Sequence, residues 1–466
     1  MFRYLTSYRF YTLAKIGFGL AYLWYIWDFF WIHFAIWNSQ LGLLLIRTTE
    51  PVFSGDPDLD AFLHPIALFF DQKMVVWIIF LTSPLIVGLY LWGRRRWLQF
   101  AVGCWMSASL VAMTALIDFF HSTADVWVNF VFIDYSLTAL VSSNEEREKY
   151  ESGFSLSKWK ADPVLASTYA SFVVLIQFSV YFFAGVNKLV DGWVPWTTGV
   201  AIQNLMAFDN SVHEFARGTY VPYWLSLILC YVTLFQRLVV PFGFFFKRYR
   251  IWAVLILGTM HIGYAILMYV NLFPLVGIAS LLIVLPPRTP PVLETSSRKP
   301  RKIKKVLKQN YQSSFAQGAV ICLFTFCLIG ECIRLTSFDA APIEQTLLVA
   351  PNWRMFSNGG ATPIGEWRLI LDTPGGEIDA TEIALQPLPH LWRDRFYINM
   401  IYSNLLMRQG KPGSFVDTLV KNTEKMYSAR QLQLSGNPVI LGAHFNFVVK
   451  TQTISLPVLQ RSHHGS

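Results

Sequence analysis

Charged residues are scarce in this sequence, and their scarcity decides the class of protein. Asp, Glu, Lys and Arg make up 14% of the 466 residues, whereas hydrophobic residues make up 54%. A soluble protein normally carries about a quarter charged residues. Phe, Trp and Tyr reach 16%, which suits a chain with many membrane interfaces to anchor. The composition therefore predicts a polytopic membrane protein.

Cysteine motifs and glycosylation sequons are also missing. No two cysteines form a CxxC pair or a Cys/His spacing typical of a metal site. All of them fall in apolar runs: Cys104, Cys230, Cys322, Cys327 and Cys332. We therefore expect buried core residues and no metal site. The chain has no Asn-x-Ser/Thr sequon, which favours a bacterial source.

About nine apolar runs approach the roughly 20 residues that a helix needs to cross a bilayer. They are residues 14–36, 74–93, 97–117, 126–142, 168–190, 222–246, 250–270, 272–287 and 314–335, of which the fourth and eighth are short. We predict an all-α polytopic membrane bundle of about nine transmembrane helices over residues 1–335. A small C-terminal extracytoplasmic α+β domain is expected over residues 336–460.

Basic residues cluster in alternate loops of this nine-span arrangement, at 3–9, 94–96, 147–160, 247–250 and 298–308. Lys and Arg accumulate on the cytoplasmic side of membrane proteins. The N-terminus is therefore predicted to be cytoplasmic, and the chain beyond about residue 336 external. The net charge of +9 reflects this topology and contact with anionic lipid. Nucleic acid is not expected as a partner, because the basic loops lie at the membrane without interleaved aromatic residues.

The tail shows both strand and helix patterns. Residues 366–383, EWRLILDTPGGEIDATEI, alternate around a Pro-Gly-Gly turn and predict a β-hairpin. Residues 391–410 and 414–432 have helical periodicity, and residues 437–456 predict a long strand or a strand pair. These patterns are the basis for the α+β expectation.

One lysine stands out at the end of a charge-free run, in FFAGVNKLVDGW at residues 182–193. An ionisable residue at membrane depth is costly and is a functional candidate. Lys188 either extends its amine to the outer interface or does chemistry or ligand binding inside the protein. The small Gly185 and the polar Asn187 beside it indicate that a ligand or another backbone approaches closely.

Other polar residues also interrupt the apolar runs. His261 lies mid-span, where it either hydrogen-bonds a neighbouring helix or serves a site. Among these residues, an ionised Asp134 would have the highest free-energy cost at membrane depth, so we expect it to be either protonated or paired with a basic group. Gln236 and Arg237 are expected to make polar contacts that hold helices together.

Three segments carry a family resemblance. YFFAGVNKLVDGW at residues 181–193 resembles the Gly-x-x-Lys-Leu…Trp segment of vitamin K-dependent γ-glutamyl carboxylases and their bacterial relatives, the horizontally transferred transmembrane (HTTM) superfamily. Gly185, Lys188, Leu189 and Trp193 fit that pattern. Residues 261–287 look like the family's later helix that begins with histidine, and APNWRMFSNGG at 350–360 is similar to its W-x-M-F segment. The resemblance runs collinearly over roughly residues 10 to 370.

The resemblance implies a membrane enzyme with γ-carboxylase-like (carbon–carbon lyase) activity. Lys188 matches the base that deprotonates vitamin K hydroquinone, and His261 would support it in catalysis. Asn187, Asn129 and Trp193 would contact the cofactor, which is reduced vitamin K or menaquinol. O2 and CO2 would be co-substrates, and a secreted peptide or protein would reach the site from outside.

Two departures from the family pattern keep other functions open. The family's Asn-His pair corresponds here to Asn129-Phe130, and the external domain is reduced. The alternative is a non-enzymatic membrane factor for the maturation or export of a secreted peptide, as in family members of the sporulation-delaying toxin type. A lipid or quinone binder without turnover is a third hypothesis. In each case the expected location is a membrane, most simply the bacterial inner membrane.

Overall fold

The computed structural model describes residues 4–37, 73–115, 123–141, 154–191, 193–208, 212–213, 215–216, 218–268, 270, 272–287, 366–373, 375–379 and 442–448. The chain divides into two compact units, Met1–Asn38 with Ile46–Ala361 and Ser39–Leu45 with Thr362–Ser466. The predicted span at 314–335 lies outside the described residues, and so do both predicted tail helices. That span contains Glu331 and Arg334, whose i,i+3 spacing predicts a structural ion pair.

The first unit is mostly helical. Its elements are β1 (Tyr4–Ser7), α1 (Tyr8–Trp37), α2 (Lys73–Trp92), α3 (Arg96–Ala115), α4 (Thr123–Val141), α5 (Leu156–Ala161), β2 (Val164–Ser167), α6 (Thr168–Asp191), α7 (Trp193–Thr197), α8 (Val200–Phe208), α9 (Tyr223–Leu238), a 3-10 turn (Val240–Phe245), α10 (Arg250–Leu267) and α11 (Phe273–Val284). A helix occupies each of the first eight predicted spans.

Four helical segments among the described residues are long and apolar enough to cross a membrane: Lys73–Trp92, Thr168–Val190, Tyr223–Phe245 and Arg250–Leu267. Two shorter apolar helices lie at Trp127–Leu140 and Phe273–Val284. Thr168–Val190 is the most enclosed of the four, with 83% of its apolar window buried inside the protein. These helices are compatible with an integral membrane protein, and they place α6, which carries Lys188, at the centre of the bundle.

A two-stranded sheet joins the N-terminus to the segment before α6. Strand β1 pairs antiparallel with β2, from Tyr4 opposite Ser167 to Ser7 opposite Val164. The buried Tyr4 hydroxyl donates to the carbonyl of Phe244 at 2.8 Å, which adds the 3-10 turn to the same end of the bundle. This sheet was not predicted from the sequence.

Four of the five basic segments that were predicted to share one side have described residues at this end of the bundle; the fifth, at 298–308, lies outside the described residues. The Arg9 guanidinium donates to the carbonyls of Trp159 at 2.8 Å and Lys160 at 3.0 Å. The Phe154 amide donates to the carbonyl of Leu91, next to Arg94–Arg96. Arg250 Nη1 donates to the carbonyl of Leu5 at 3.1 Å. We call this region the basic end; that it faces the cytoplasm stays a prediction.

A buried lysine in α1, which was not predicted from the sequence, caps the C-terminal end of α2. Lys15 is 3% exposed, and its Nζ donates to the carbonyl of Tyr90 at 2.9 Å. The Tyr135 hydroxyl donates to the same carbonyl at 3.2 Å. Carbonyls in the last turn of a helix lack a helical partner and attract cations. Nearby in α4, the buried Asp134 accepts a hydrogen bond from Thr138 Oγ1 at 3.1 Å.

The second unit contains a three-stranded antiparallel sheet in the order β4–β3–β5. Its strands are β3 (Glu366–Thr373), β4 (Gly376–Asp379) and β5 (Gly442–Val448). Strands β3 and β4 form a hairpin at the Pro-Gly-Gly turn, with Thr373 opposite Gly376. Strand β5 lies within the stretch for which the sequence predicts a strand, and pairs with β3 from Glu366 opposite Val448.

Candidate functional site

The candidate site begins with a stripe of residues on α6. Tyr181, Gly185 and Lys188 are four and three residues apart, a spacing that places them on one face of a helix. This face meets α9, because a β-carbon on Gly185 would lie 2.8 Å from Cβ of Arg237. The Gly-x-x-Lys frame thus combines a close helix contact with a buried amine.

Lys188 lies inside the protein, with 1% of its surface exposed. Its Nζ lies 4.8 Å from the centroid of the Trp196 ring, a cation–π distance. Trp196 belongs to the short helix α7 and packs with Cys230 and Leu234 of α9. The residues after Lys188 therefore fold back over its amine. An amine in this position does not extend to lipid or bulk water, so the interfacial alternative from the sequence is not what the structure shows.

Arg237 is fully buried and faces the same stripe. Its Nη2 donates to the Tyr264 hydroxyl at 2.9 Å. The guanidinium carbon lies 5.5 Å from the Tyr181 ring centroid and 5.7 Å from that of Tyr264. Within the described part of the chain, Nε and Nη1 have no hydrogen-bond partner. The guanidinium is therefore held by aromatic rings and one hydroxyl.

His261 of α10 is also fully buried and shares a hydrogen bond of 2.5 Å between its Nε2 and the Tyr181 hydroxyl. Its ring lies against Phe273, with centroids 5.0 Å apart, and near Trp127, at 6.5 Å. Gly277 of α11 makes room for the imidazole, since a β-carbon there would lie 2.1 Å from its Cε1. Nδ1 has no hydrogen-bond partner among the described residues.

These side chains form one group, which we call the Arg237 cluster: Tyr181, Lys188, Arg237, His261 and Tyr264. Lys188 lies three residues from Gly185, on the face of α6 that packs against Arg237. Tyr181 joins His261 by its hydrogen bond and Arg237 by its ring. The two residues that the sequence predicts to be catalytic are therefore brought together through intermediaries on α6 and α9.

The predicted cofactor-binding residues lie in different surroundings. Asn187 is buried beside Lys188, and its Nδ2 has no hydrogen-bond partner in the described residues. Asn129 accepts a hydrogen bond from Ser107 of α3 at 2.6 Å, and Phe130, which follows it, is buried. Trp193 is 58% exposed on α7. The described contacts do not connect Asn129 or Trp193 with the Arg237 cluster.

Three residues of the site had no assigned role in the sequence analysis or a different one. Trp196, three residues beyond Trp193, provides the ring at the Lys188 amine. Trp127, rather than Asn129, is the α4 residue that meets His261. Arg237 was expected to make a polar contact between helices, which its hydrogen bond from α9 to Tyr264 of α10 confirms; its place in this site was not predicted. Its position inside an apolar run was a signal that could have identified Arg237 as a site residue. Whether Trp193 or Trp196 reaches the Lys188 amine depends on how α7 turns, which the sequence does not show.

The chemistry available to the Arg237 cluster is that of donors and bases. It offers an amine, a guanidinium, an imidazole and two phenol hydroxyls, in a region where burial strengthens electrostatic interactions. The described residues include no group of three His, Cys, Asp or Glu side chains that could hold a metal ion. Such a set can bind an oxygen-bearing ligand and move a proton at one of its oxygens.

Comparison with known proteins adds no relative: no family model, no curated protein and no solved structure matches this chain.

Proposed function

We propose that this chain is an integral-membrane enzyme of the HTTM, γ-carboxylase-like type, in which Lys188 acts as a base on a quinol-type cofactor to modify a secreted peptide or protein. The observation that carries the proposal is the position of the Lys188 amine, buried over the Trp196 ring on the helix face that packs against Arg237. A lysine that served only as an interface anchor would keep its amine in water.

The rings around His261 and the donors of the Arg237 cluster are the contacts that a quinol-type ligand would use. Aromatic rings from three helices (Trp127, Tyr181 and Phe273) surround His261 and provide flat apolar contacts. Buried N–H groups on Asn187 and Arg237, which have no hydrogen-bond partner among the described residues, offer donors for ring oxygens. When bound, a reduced quinone would supply an acidic hydroxyl and the electrons for reaction with O2. In this proposal Lys188 takes the proton, while Arg237 and His261 orient the ligand and Trp196 covers the amine.

The proposed topology has nine spans, a cytoplasmic N-terminus and an external tail, in the inner membrane of a bacterium. It is supported by the gathering of the described basic segments, near residues 9, 95, 155 and 249, at one end of the first unit. Lys188 lies near the opposite end of α6, so in this topology it is close to the outer face. A ligand from the bilayer and a peptide from outside could both reach that depth.

The experiment first identifies the substrate as a secreted peptide whose mature form is lost when this gene is deleted. It then compares Lys188→Arg and Lys188→Ala with wild type for membrane insertion and for maturation of that peptide. Guanidinium does not give up its proton at usable pH, so a base role requires loss of activity in both variants. Lys160→Arg at the basic end is the matched control and should retain full activity. Full activity in Lys188→Arg contradicts the base role.

Lys188→Ala separates the enzyme from the non-enzymatic maturation factor. A factor that binds the peptide through its external tail does not need a buried amine, so normal maturation in Lys188→Ala would favour that alternative. Mass spectrometry of the mature peptide gives a second distinction. A mass increase of one carboxyl group supports carboxylation, whereas cleavage alone supports the factor.

A further inference from the structure

Arg237 carries a positive charge that its surroundings do not balance. Its one hydrogen bond goes to the neutral hydroxyl of Tyr264, and two of its three nitrogens are unpaired within the described residues. No carboxylate in that part of the chain is hydrogen-bonded to the guanidinium. Buried charges in proteins are normally paired and fully hydrogen-bonded, because removal from water is costly.

The neighbours of Arg237 on α6 supply no negative charge. Lys188 lies on the same helix face as Tyr181 and Gly185, which both contact Arg237, and its side chain is a base and not a carboxylate. The Tyr181 and Tyr264 rings can lower the cost by cation–π contact, but they carry no net charge. An anion from outside the chain would pair the free N–H groups and offset the charge.

We propose that Arg237 binds the oxyanion of a small aromatic molecule. A planar guanidinium with unpaired N–H groups matches a carboxylate or phenolate oxygen. The aromatic part of the ligand would meet the rings of Tyr181 and Tyr264, which already flank the guanidinium. This site shares its location with the proposed active site, but it does not require Lys188 to act as a base.

The test uses probes matched in shape and different in charge. The full chain in lipid nanodiscs is titrated with benzoate and with neutral benzamide, and with 4-nitrophenolate and neutral nitrobenzene. Binding is followed by tryptophan fluorescence and by the shift in unfolding temperature. We expect at least one anion to bind about tenfold more tightly than its neutral partner. The first pair reports a carboxylate ligand and the second a phenolate ligand.

Arg237→Met is the central variant. It should reduce the preference for the anion to within about twofold, because the charge that distinguishes the probes is gone. Without ligand it should unfold at the same or a higher temperature than wild type, because an unpaired buried charge has been replaced by an apolar chain. A purely structural arginine would instead lower the unfolding temperature when removed.

Arg96→Met is the control, since Arg96 donates to the carbonyl of Ala139 on a different pair of helices, α3 and α4. It should keep the anion preference of wild type. Arg237→Gln is a second neutral variant for the case in which Arg237→Met does not fold. The proposal is overturned if wild type binds neither anion better than its neutral partner, or if the neutral variants keep the preference. Because binding is measured without turnover, failure of the base role leaves this test unaffected.

Discussion

Gly185 and Arg237 are in contact where α6 crosses α9, and the contact has no space for another carbon. A β-carbon on Gly185 would lie 2.8 Å from Cβ of Arg237 and 2.9 Å from Cγ of Leu238. The missing side chain lets the two helices approach, as small residues do between membrane helices. It also aligns the guanidinium with the stripe that carries Tyr181 and Lys188. The glycine of the Gly-x-x-Lys frame therefore has a packing role in the site.

Gly185→Ala should destabilise the protein and weaken the Arg237 cluster. Inserting a carbon into a packed core costs about 1–3 kcal/mol, and here it would push against a backbone-proximal carbon that cannot swing away. Gly258→Ala in α10 is the control, because a β-carbon there meets nothing within 4 Å. Thermal unfolding of both variants in nanodiscs checks the prediction. Equal stability of the two would mean that α6 and α9 are not in close contact.

His261 and Gly277 should behave as a coupled pair. In Gly277→Ala the new carbon would lie 2.1–2.6 Å from three atoms of the imidazole, so we expect a loss of about 1–3 kcal/mol. Adding His261→Ala removes the ring and should make the alanine at 277 nearly neutral. Contacting residues commonly show such non-additivity, of about 0.5–3 kcal/mol. Unfolding of the two single variants and the double variant measures it, and simple additivity would contradict the contact.

The sequence located Lys188 and His261 because an ionisable side chain in an apolar run is conspicuous. It did not assign Arg237 to the site, although the same signal was present, because the direction of a guanidinium depends on which helix face it meets. That face is set by the close approach at Gly185, a tertiary contact. Asn129 as a cofactor contact stays a prediction; in the structure it is buried and accepts a hydrogen bond from Ser107. A family motif identifies a helix more readily than it identifies the tertiary partner of each residue on that helix.

Long-range pairing limited the prediction of the fold in a similar way. Eight helices follow from apolar length, and the β3–β4 hairpin follows from local alternation around its turn. Strands β1 and β2 have only four residues each, and the first five helices lie between them in the sequence. A four-residue pattern does not indicate which distant strand it will pair with. The same holds for Lys15, whose contact is a carbonyl on another helix.

Lys15→Met should destabilise the bundle more than a surface lysine change. The buried amine donates to the Tyr90 carbonyl near the end of α2, and hydrogen bonds to charged groups contribute about 1.5–3 kcal/mol. Lys73→Met, at the exposed start of α2, is the control and should change stability by less than about 0.5 kcal/mol. Chemical unfolding in mild detergent gives the difference. A Lys15→Met protein as stable as the control would mean that methionine packing replaces the capping interaction.

Asp162 should be required as a side chain and not only as a turn residue. Its backbone is left-handed, with φ 46° and ψ 53°, and its Oδ1 accepts hydrogen bonds from the Arg9 amide at 3.0 Å and from the Ser7 hydroxyl. It thus caps the start of α1 from a distant part of the chain. Asp162→Ala should cost about 1–2 kcal/mol, the usual cost of losing a cap. Asp162→Asn keeps an acceptor and tolerates this backbone, so it should cost less. The opposite order in thermal unfolding would contradict the capping role.

Reporter fusions can test the topology at two levels. The structure joins the loops near residues 95, 155 and 249 at the basic end, through the contacts of Phe154 with Leu91, Arg9 with Trp159 and Arg250 with Leu5. Fusions of a periplasm-active phosphatase after these positions should therefore agree with one another, whichever side they report.

The basic residues predict that this side is the cytoplasm, because lysine and arginine in short loops resist translocation. A fusion after residue 305 should also report the cytoplasm, whereas fusions after 60 or 340 should be active outside. Disagreement among the first three would contradict the basic end. An external report at 305 would contradict the count of nine spans and, with it, the proposed outer position of Lys188.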